Sequence, residues 1–187
     1  MPRTSIDKGL VILDRDGVIN QDSDDFVKNV DEWIPLPGSI EAIAALSTAG
    51  YTIAVASNQS GIARGLYDED ALEAMHEKFR SLVNDAGGRV DFIAVCPHGP
   101  DDGCDCRKPK PGLYLQIAAH FDVTLEGVPA IGDSLRDLEA AAAAGAKPIL
   151  VRTGNGIRSE ALLSGALASV PVFDTLAAAA NNILLDQ

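Results

Sequence analysis

Residues 10–17, Leu-Val-Ile-Leu-Asp-Arg-Asp-Gly, are the stretch around which the chain is organised. Four consecutive apolar residues, two of them β-branched, are typical of a strand buried on both faces at the centre of a parallel sheet. The strand delivers Asp14 and Asp16 at its carboxyl end, where open α/β sheets bind their ligands. Asp-Gly then closes the run as a tight turn. Two interpretations of the carboxylates stay open at this point: a reactive pair, or a solvated turn and cap.

Length, charge and composition limit the class of protein. The chain has 187 residues, which predicts one domain over residues 1–187 with a substantial core. The net charge of -12 argues against a general binder of nucleic acid or of anionic membranes. No apolar run reaches the roughly 18 residues of a membrane helix, and residues 1–9 lack the apolar core of a signal peptide. We therefore expect a cytoplasmic monomer with neither nucleic-acid nor membrane partners.

Strand and helix patterns alternate from end to end. Helical patterns begin at Ser39, Asp68, Pro111 and Leu135, with Ser39 as a cap and Pro111 as a first helical residue. His76 lies beside the apolar stripe of the second helix and is predicted to be a boundary histidine. Strand-like segments follow the first one at 51–56, 90–95, 127–131, 148–151 and 170–173. This alternation predicts a doubly wound α/β fold with a mostly parallel sheet.

One long segment interrupts the alternation. Residues 18–37 are irregular and acidic, and they end in Pro35-Leu36-Pro37-Gly38. Long loops in compact domains are often functional. We predict that this segment is a flap over the carboxyl end of the first strand.

Polar side chains follow several of the predicted strands. Asp14 and Asp16 follow the first strand, Ser57 the second and Asp133 the fourth, and Lys108 precedes a helix that can lean over the same edge. Because the carboxyl ends of parallel strands meet at one edge, these side chains should share one cleft. Carboxylates, a hydroxyl and a lysine in one cleft suit phosphoryl transfer with a hard divalent cation such as Mg²⁺.

Four motifs in this order resemble those of phosphatases of the haloacid dehalogenase (HAD) superfamily. Each motif is weak alone, but four in register over residues 10–137 are specific. They are Asp14-Arg15-Asp16-Gly17-Val18, Ser57-Asn58, Lys108 within Cys106-Arg107-Lys108-Pro109, and Gly132-Asp133-Ser134-Leu135-Arg136-Asp137. The resemblance implies a Rossmann-like HAD core with a flap and a metal loop in place of a large cap domain.

The resemblance also implies roles for the residues of the cleft. Asp14 would attack phosphorus and form an aspartyl-phosphate, and Asp16 would act first as general acid and then as general base. Ser57 and Lys108 would hold the phosphoryl oxygens. Mg²⁺ would be bound by the carboxylate of Asp14, the backbone carbonyl of Asp16 and Asp133.

Asp137 and Lys110 lie close to these motifs in the sequence and are predicted to have other roles. Asp137 either orients Lys108 or a metal-bound water, or it caps the helix that follows. Lys110 also precedes Pro111, but the Cys-Arg-Lys-Pro pattern assigns the phosphate to Lys108. Lys110 is therefore predicted to be a surface charge.

A cysteine-rich loop at about 96–108 predicts a second metal site. All three cysteines and one of the three histidines fall within 11 residues, as Cys96-x-His98 and Cys104-x-Cys106. A Cys₃His set is a common composition of structural zinc sites, and four protein ligands leave no open position for catalysis. The alternatives are free thiols or a Cys104–Cys106 disulfide, whose small ring and cytosolic setting disfavour it.

The zinc loop narrows the resemblance to two HAD families. These are the D,D-heptose 1,7-bisphosphate phosphatases and the histidinol-phosphate phosphatases. The stretch Asn58-Gln59-Ser60-Gly61-Ile62-Ala63-Arg64-Gly65 is similar to the heptose family, since histidinol-phosphate enzymes more often have Asp in place of Ser60. The resemblance then implies a sugar phosphate substrate, with removal of the 7-phosphate of heptose 1,7-bisphosphate in the synthesis of nucleotide-activated heptose for lipopolysaccharide or surface glycans.

Candidate substrate contacts surround the cleft. A second phosphate of about 1.5 to 2 negative charges needs guanidinium donors, which Arg64 and Arg107 can supply, although Arg64 could equally be solvated. Asp22 and Asp25 could accept hydrogen bonds from sugar hydroxyls. The full candidate set is Asp22, Asp25, Asn58, Gln59, Ser60, Arg64 and Arg107. Other substrates stay open, namely histidinol phosphate, another sugar phosphate or a phosphoprotein, as does a non-catalytic zinc-binding module.

Overall fold

The computed structural model describes residues 8–186; the expectations for residues 1–7 lie outside this range. Within it, six strands form one sheet in the order β3-β2-β1-β4-β5-β6, and every neighbouring pair is parallel. The strands are β1 (Leu10–Leu13), β2 (Thr52–Asn58), β3 (Phe92–Cys96), β4 (Pro129–Gly132), β5 (Lys147–Val151) and β6 (Val172–Phe173). The predicted doubly wound parallel sheet is therefore confirmed.

Helices cover both faces of the sheet. They are α1 (Ser39–Thr48), α2 (Glu69–Asp85), α3 (Gly112–Phe121), α4 (Leu135–Ala143), α5 (Gly156–Glu160) and α6 (Leu176–Leu185), with a 3₁₀ turn at Gly165–Leu167. Apolar residues of α1, α2 and α6 form one core with one face of the sheet, and residues of α3 and α4 form a second core with the other. None of the helices that the structure describes is long and apolar enough to cross a membrane.

Strand β1 is central because both of its faces are buried. Val11 and Leu13 belong to the first core, while Leu10 and Ile12 belong to the second. Successive side chains of a strand point to opposite faces, so a strand between two helical layers needs an unbroken apolar run. β1 lies between β2 and β4. The residue that follows it, Asp14, therefore emerges at the middle of the carboxyl edge.

Several local predictions were wrong in detail. Ser39 is the first residue of α1 rather than its cap: the cap position is Gly38, at φ 77°, and the Ser39 hydroxyl donates to the carbonyl of Ile19 at 2.7 Å. Pro111 precedes the first residue of α3 by one position. The five residues of α5 are too few to show helical periodicity, so the sequence did not reveal this helix.

His76 is a buried residue rather than a boundary one. Only 3% of its surface is exposed, and burial lowers the pKa of its imidazole to about 3, with a further contribution from the positive charge of Arg15. Its ring is therefore neutral and buried beside the apolar residues of α2.

Residues 18–37 contain no helix or strand, and this agrees with the predicted irregular segment. The segment does more than cover the strand end, because Val18, Ile19 and Trp33 are fully buried in the first core. The ring of Trp33 packs against Phe79 of α2, with 5.7 Å between ring centroids. Its ends are thus anchored in the core, while its acidic middle, including Asp22 and Asp25, is exposed.

Candidate active site at the carboxyl edge of the sheet

A cavity of about 280 Å³ lies at the carboxyl edge of the sheet. Asp14 and Asp16 line it after β1, and Asp133 lines it after β4. Ser57 lies nearby but is fully buried near the end of β2, and its hydroxyl accepts a hydrogen bond from the side chain of Gln59 at 2.7 Å. The structure thus brings together the strand-end residues that the sequence predicted to share a cleft.

Lys108 connects the two sides of this cavity. Its ammonium lies 2.8 Å from Oδ1 of Asp14 and 2.7 Å from Oδ1 of Asp137, and it donates to the carbonyl of Ala56 at 2.8 Å. Burial alone would lower the pKa of Lys108, but the charges of Asp137 and Asp14 raise it above its usual value. A cation is therefore fixed beside the carboxylate of Asp14.

Asp137 both pairs with Lys108 and caps α4, which were given as alternative roles in the sequence analysis. Its Oδ1 pairs with Lys108, while its Oδ2 accepts from the backbone and the hydroxyl of Ser134 at 3.0 and 2.7 Å in a capping box at the start of α4. Lys110, in contrast, is exposed and bonds to Cys104 and Asp105 of the surface loop, as predicted for a surface charge.

The carboxylates of Asp14, Asp133 and Asp137 could hold a metal ion, since one oxygen of each lies within 4.8 Å of the others. Burial, together with repulsion from Asp137, raises the pKa of Asp14 to about 7, and burial and the charge of Asp14 raise that of Asp133 to about 8. Three carboxylates share this place with one lysine, so negative charge is in excess here. Such a site fits a hard divalent cation.

The loop after β5 positions Asp133, and sequence reasoning missed it. The backbone and the side-chain amide of Asn155 donate to Oδ2 of Asp133 at 2.7 and 3.4 Å. Gly17 and Gly154 have positive φ angles, and a Cβ on either would collide with the same carboxylate oxygen. The hydroxyl of Thr153 donates to the carbonyl of Gly17 at 2.7 Å, which ties the two turns together.

Asp16 is held by four side-chain donor atoms. Nε and Nη2 of Arg15 donate to it at 3.2 and 2.9 Å, the Asn20 amide at 2.9 Å and the Gln59 amide at 2.7 Å. Burial alone would raise the pKa of Asp16, but Arg15 and these hydrogen bonds hold it below its usual value. The carboxylate is therefore ionised and fixed in this state of the protein.

The rim of the cavity combines flap residues with loop residues. Asp22, Asn58, Gln59, Ser60, Arg64 and Arg107 line it, whereas the predicted contact Asp25 is exposed outside the lining. The guanidinium of Arg64 lies 5.5 Å from the ring centroid of Phe26, which has a φ of 66°. The wall of the cavity therefore contains a cation–π pair that sequence reasoning missed.

The cysteine loop forms a compact cluster. The sulfur of Cys96 lies 3.7 Å from that of Cys104 and 3.0 Å from that of Cys106, and Nδ1 of His98 lies 3.3 Å from the sulfur of Cys106. All three cysteines are free, which excludes the Cys104–Cys106 disulfide from this structure. One ligand atom from each of the four residues fits within 4.8 Å of the others, so the loop could bind a metal ion.

The cluster is attached to the sheet edge through Asn58. Its amide oxygen accepts from the backbone N–H of Lys108, and its amide nitrogen donates to the Lys108 carbonyl, both at 3.1 Å. These paired bonds join the end of β2 to the end of the cysteine loop. The backbone of Lys108 is therefore held in place where the cysteine loop meets β2.

Comparisons with known proteins agree with the fold and site. One family model, described as polynucleotide kinase 3 phosphatase, matches residues 7–134, and a HAD-hydrolase-like model matches residues 105–179. The D-glycero-beta-D-manno-heptose-1,7-bisphosphate 7-phosphatase of Pseudomonas aeruginosa is 59% identical over 179 residues, covering 95% of this chain and 98% of that protein. The Escherichia coli enzyme of the same name is 39% identical over 160 residues, covering 81% of this chain and 83% of that protein.

Solved structures give the same result. The crystal structure of D,D-heptose 1,7-bisphosphate phosphatase from Bordetella bronchiseptica, complexed with magnesium and phosphate, has a TM-score of 0.92 and 57% identity, covering 96% of this chain and 99% of that chain. The Burkholderia thailandensis enzyme has a TM-score of 0.74 and 43% identity, covering 95% and 99%. Together with the motifs and the parallel sheet, these relationships show that the chain belongs to the D-glycero-beta-D-manno-heptose-1,7-bisphosphate 7-phosphatase family of HAD-like hydrolases.

Proposed function

We propose that this chain is a magnesium-dependent phosphatase that removes the 7-phosphate of D-glycero-β-D-manno-heptose 1,7-bisphosphate, in the synthesis of nucleotide-activated heptose. The observation that carries the proposal is the Asp14 carboxylate, held 2.8 Å from Lys108 at the cavity where Asp133 also lies. The similarity of the chain to heptose bisphosphate phosphatases over nearly its whole length supports the substrate.

Asp14 is the nucleophile in this proposal. Its free carboxylate oxygen forms a bond to phosphorus while the bond from phosphorus to the sugar O7 breaks, which gives an aspartyl-phosphate. Water then attacks this phosphorus, and the bond to Asp14 breaks to release inorganic phosphate. Lys108 and Ser57 hold the phosphoryl oxygens in both steps, Lys108 through its positive charge and Ser57 through its hydroxyl, which also accepts a hydrogen bond from Gln59.

Asp16 supplies and recovers the proton. It protonates O7 as the sugar leaves and later takes a proton from the attacking water. In the structure the charge of Arg15 lowers the pKa of Asp16 and keeps its carboxylate ionised. Asp16 must therefore gain a proton before the first step. A phosphate dianion beside Asp16 favours this protonation, because a nearby like charge raises the pKa of a carboxyl.

The acidic cluster fits Mg²⁺, which the carboxylates of Asp14 and Asp133 and the backbone carbonyl of Asp16 would hold. When bound, Mg²⁺ would offset the excess negative charge of the carboxylates and would orient a phosphate oxygen. The four-ligand cluster of Cys96, His98, Cys104 and Cys106 fits structural zinc, in a position to hold Lys108 and Arg107 against the cavity.

Of the remaining predicted residues, the six that line the cavity contact the heptose in this proposal. Asp22 and the polar residues Asn58, Gln59 and Ser60 face the cavity and can bond to hydroxyl groups, and Arg64 and Arg107 bring positive charge to its rim. Asp25 is exposed beside them in the flap. We further propose that the chain acts as a single-domain monomer in the cytoplasm. Its three free thiols favour this compartment.

A phosphate-release assay with Mg²⁺ tests the proposed substrate. It compares the α and β anomers of heptose 1,7-bisphosphate with histidinol phosphate and with other sugar phosphates at equal concentration. We expect the highest kcat/KM for the β anomer of the bisphosphate. A higher kcat/KM for histidinol phosphate would replace the proposed substrate, while leaving the aspartyl-phosphate chemistry in place.

A further inference from the structure

Gln59 joins two residues of the proposed reaction. Its side chain is buried, and its amide nitrogen donates to Oδ2 of Asp16 and to the hydroxyl of Ser57, both at 2.7 Å. Asp16 is the proposed general acid and base, and Ser57 is proposed to hold the phosphoryl oxygens. One planar amide therefore fixes the position of the Asp16 carboxylate relative to the Ser57 hydroxyl.

The orientation of this amide depends on the donors around its oxygen. Oε1 of Gln59 accepts from the hydroxyl of Tyr67 and from Nη2 of Arg15, the second at 3.3 Å. A side-chain amide has two hydrogens to donate and two lone pairs that accept, and all four are used here. Rotation of the amide by half a turn would bring its oxygen against the Asp16 carboxylate and its NH₂ group against two donors. A heptose hydroxyl that reaches Gln59 would share one of these four positions.

Tyr67 is held beside Gln59 by the loop between β2 and α2. The backbone N–H of Leu66 donates to the carbonyl of Gly61 at 2.9 Å, which turns the chain back towards Gln59. A Cβ on Gly61 would lie 2.1 Å from Cε1 of the Tyr67 ring, so the ring needs a glycine at this position. Burial raises the pKa of Tyr67 to about 12, and its hydroxyl therefore keeps its proton and acts as a hydrogen-bond donor.

We propose that Tyr67 is a positioning residue for the phosphatase reaction, because its hydroxyl orients Gln59 and thereby holds the Asp16 carboxylate in place beside the Ser57 hydroxyl. This inference rests on the proposed function. Arg15 bonds directly to Asp16 through Nε and Nη2, so its contact with the amide is one of several. The hydroxyl of Tyr67 bonds to the amide oxygen, on the side of Gln59 away from Asp16 and Ser57. Its loss should therefore reach these two residues through the amide.

The test is a double-mutant cycle on kcat with heptose 1,7-bisphosphate and Mg²⁺. Wild type, Tyr67→Phe, Gln59→Leu and the double variant are compared, with Tyr51→Phe as the control. Tyr51 precedes β2, at the opposite edge of the sheet from the main cavity. We expect Tyr67→Phe to lower kcat by about 3- to 10-fold at an unchanged KM, because one hydrogen bond that aligns reacting groups is lost. In the Gln59→Leu background the same change should have no effect, and Tyr51→Phe should keep the wild-type kcat.

Three results would overturn the role of Tyr67. A rise in KM at an unchanged kcat in Tyr67→Phe would show that the hydroxyl binds the sugar instead. An equal loss of kcat in the Gln59→Leu background would show that Tyr67 does not act through Gln59. A lower Tm of Tyr67→Phe with wild-type kcat, measured well below that Tm, would show that the hydroxyl only stabilises the loop.

The outcomes also separate this inference from the proposed function. If wild type hydrolyses another phosphate ester and not heptose 1,7-bisphosphate, the proposed substrate is wrong. The same cycle on that other ester then still decides the role of Tyr67, because Asp16 and Ser57 act on the phosphate and the leaving oxygen rather than on the rest of the sugar. A wild type without any phosphatase activity would overturn both.

Discussion

The ammonium of Lys108 lies 2.8 Å from Oδ1 of Asp14, although the two residues are 94 positions apart in the chain. Lys108 is 2% exposed and Asp14 is 8% exposed, so the pair is shielded from water. Burial and the charge of Asp137 raise the pKa of Asp14 to about 7, and Lys108 opposes this shift. The lysine therefore helps to keep the proposed nucleophile ionised while it blocks one of its two oxygens.

Replacement of Asp14 by Asn should abolish turnover. The amide is not a competent nucleophile, so we expect kcat to fall by roughly 10⁴-fold or more, with the fold retained in circular dichroism. Asp85→Asn, at the exposed end of α2, is the control and should keep wild-type kcat. Near-normal activity of Asp14→Asn would exclude the aspartyl-phosphate mechanism.

The metal-free protein should lose stability as pH rises. The pKa of Asp133 is about 8 and that of Asp14 about 7 in the folded state, against 3.8 for an ordinary aspartate. At pH values between the ordinary and the raised pKa, the folded state therefore binds more protons than the unfolded chain. Their contribution to the free energy of unfolding therefore falls from about pH 4 and is fully lost above about pH 8. His76 contributes in the opposite sense below its ordinary pKa, because burial depresses its pKa to about 3.

The Asp133→Asn variant isolates the contribution of Asp133 to this pH dependence, because His76 is present in both proteins. Without metal, the variant should have a higher Tm than wild type at pH 8, and the difference should disappear as pH falls towards 4. Added Mg²⁺ should raise the Tm of wild type more at pH 8 than at pH 5 and should have little effect on the variant. A variant less stable than wild type at pH 8 in chelator would show that the excess charge at Asp133 is not destabilising.

Gly154→Ala should damage the site through backbone contact. A Cβ at position 154 would lie 2.6 Å from Cα of Gly17 and would collide with Oδ2 of Asp133. We expect a loss of about 2 to 3 kcal/mol in unfolding free energy, together with weaker Mg²⁺ activation. Gly165 has a similar φ, 54° against 58°, and open space around it, so Gly165→Ala should cost only about 1 kcal/mol and leave activation unchanged. Equal losses in the two variants would contradict the contact.

The sequence predicted the fold because the apolar pattern of β1 admits few alternatives. Leu10 to Leu13 are apolar without interruption, and such a run belongs between two helical layers. Because the predicted strands are parallel, the polar residues that follow them were then expected to meet at one edge of the sheet. The ends of the helices were less predictable. Ser39 is of a residue type that often caps a helix, but its hydroxyl donates to the carbonyl of Ile19, twenty residues away.

Residues outside the motifs could not be placed from sequence. Asn155 reaches Asp133 only because the loop after β5 folds back over Gly17, and no local pattern encodes that approach. Arg136 was visible within the fourth motif, but the motif itself did not show that this residue lines the cavity. The burial of His76 likewise depends on tertiary packing, since its place beside the apolar stripe of α2 allowed either outcome.

Removal of metal from the cysteine loop should weaken both stability and catalysis. We expect about one zinc per chain, bound by the four-residue cluster, and a lower Tm after treatment with a strong chelator. Cys104→Ser should reproduce both effects, because Lys108 loses its fixed position when the loop unfolds. Readdition of zinc should restore wild type but not the variant. Elemental analysis of untreated protein that finds no zinc would refute this structural site.

The central claim is tested most directly by ³¹P NMR of the reaction of the wild-type protein, with Mg²⁺, on D-glycero-β-D-manno-heptose 1,7-bisphosphate. The account predicts loss of the 7-phosphate signal, appearance of one equivalent of inorganic phosphate and persistence of the 1-phosphate signal, with no change in the Asp14→Asn variant. Loss of the 1-phosphate signal instead, or unchanged substrate under conditions in which the protein hydrolyses histidinol phosphate, would contradict it.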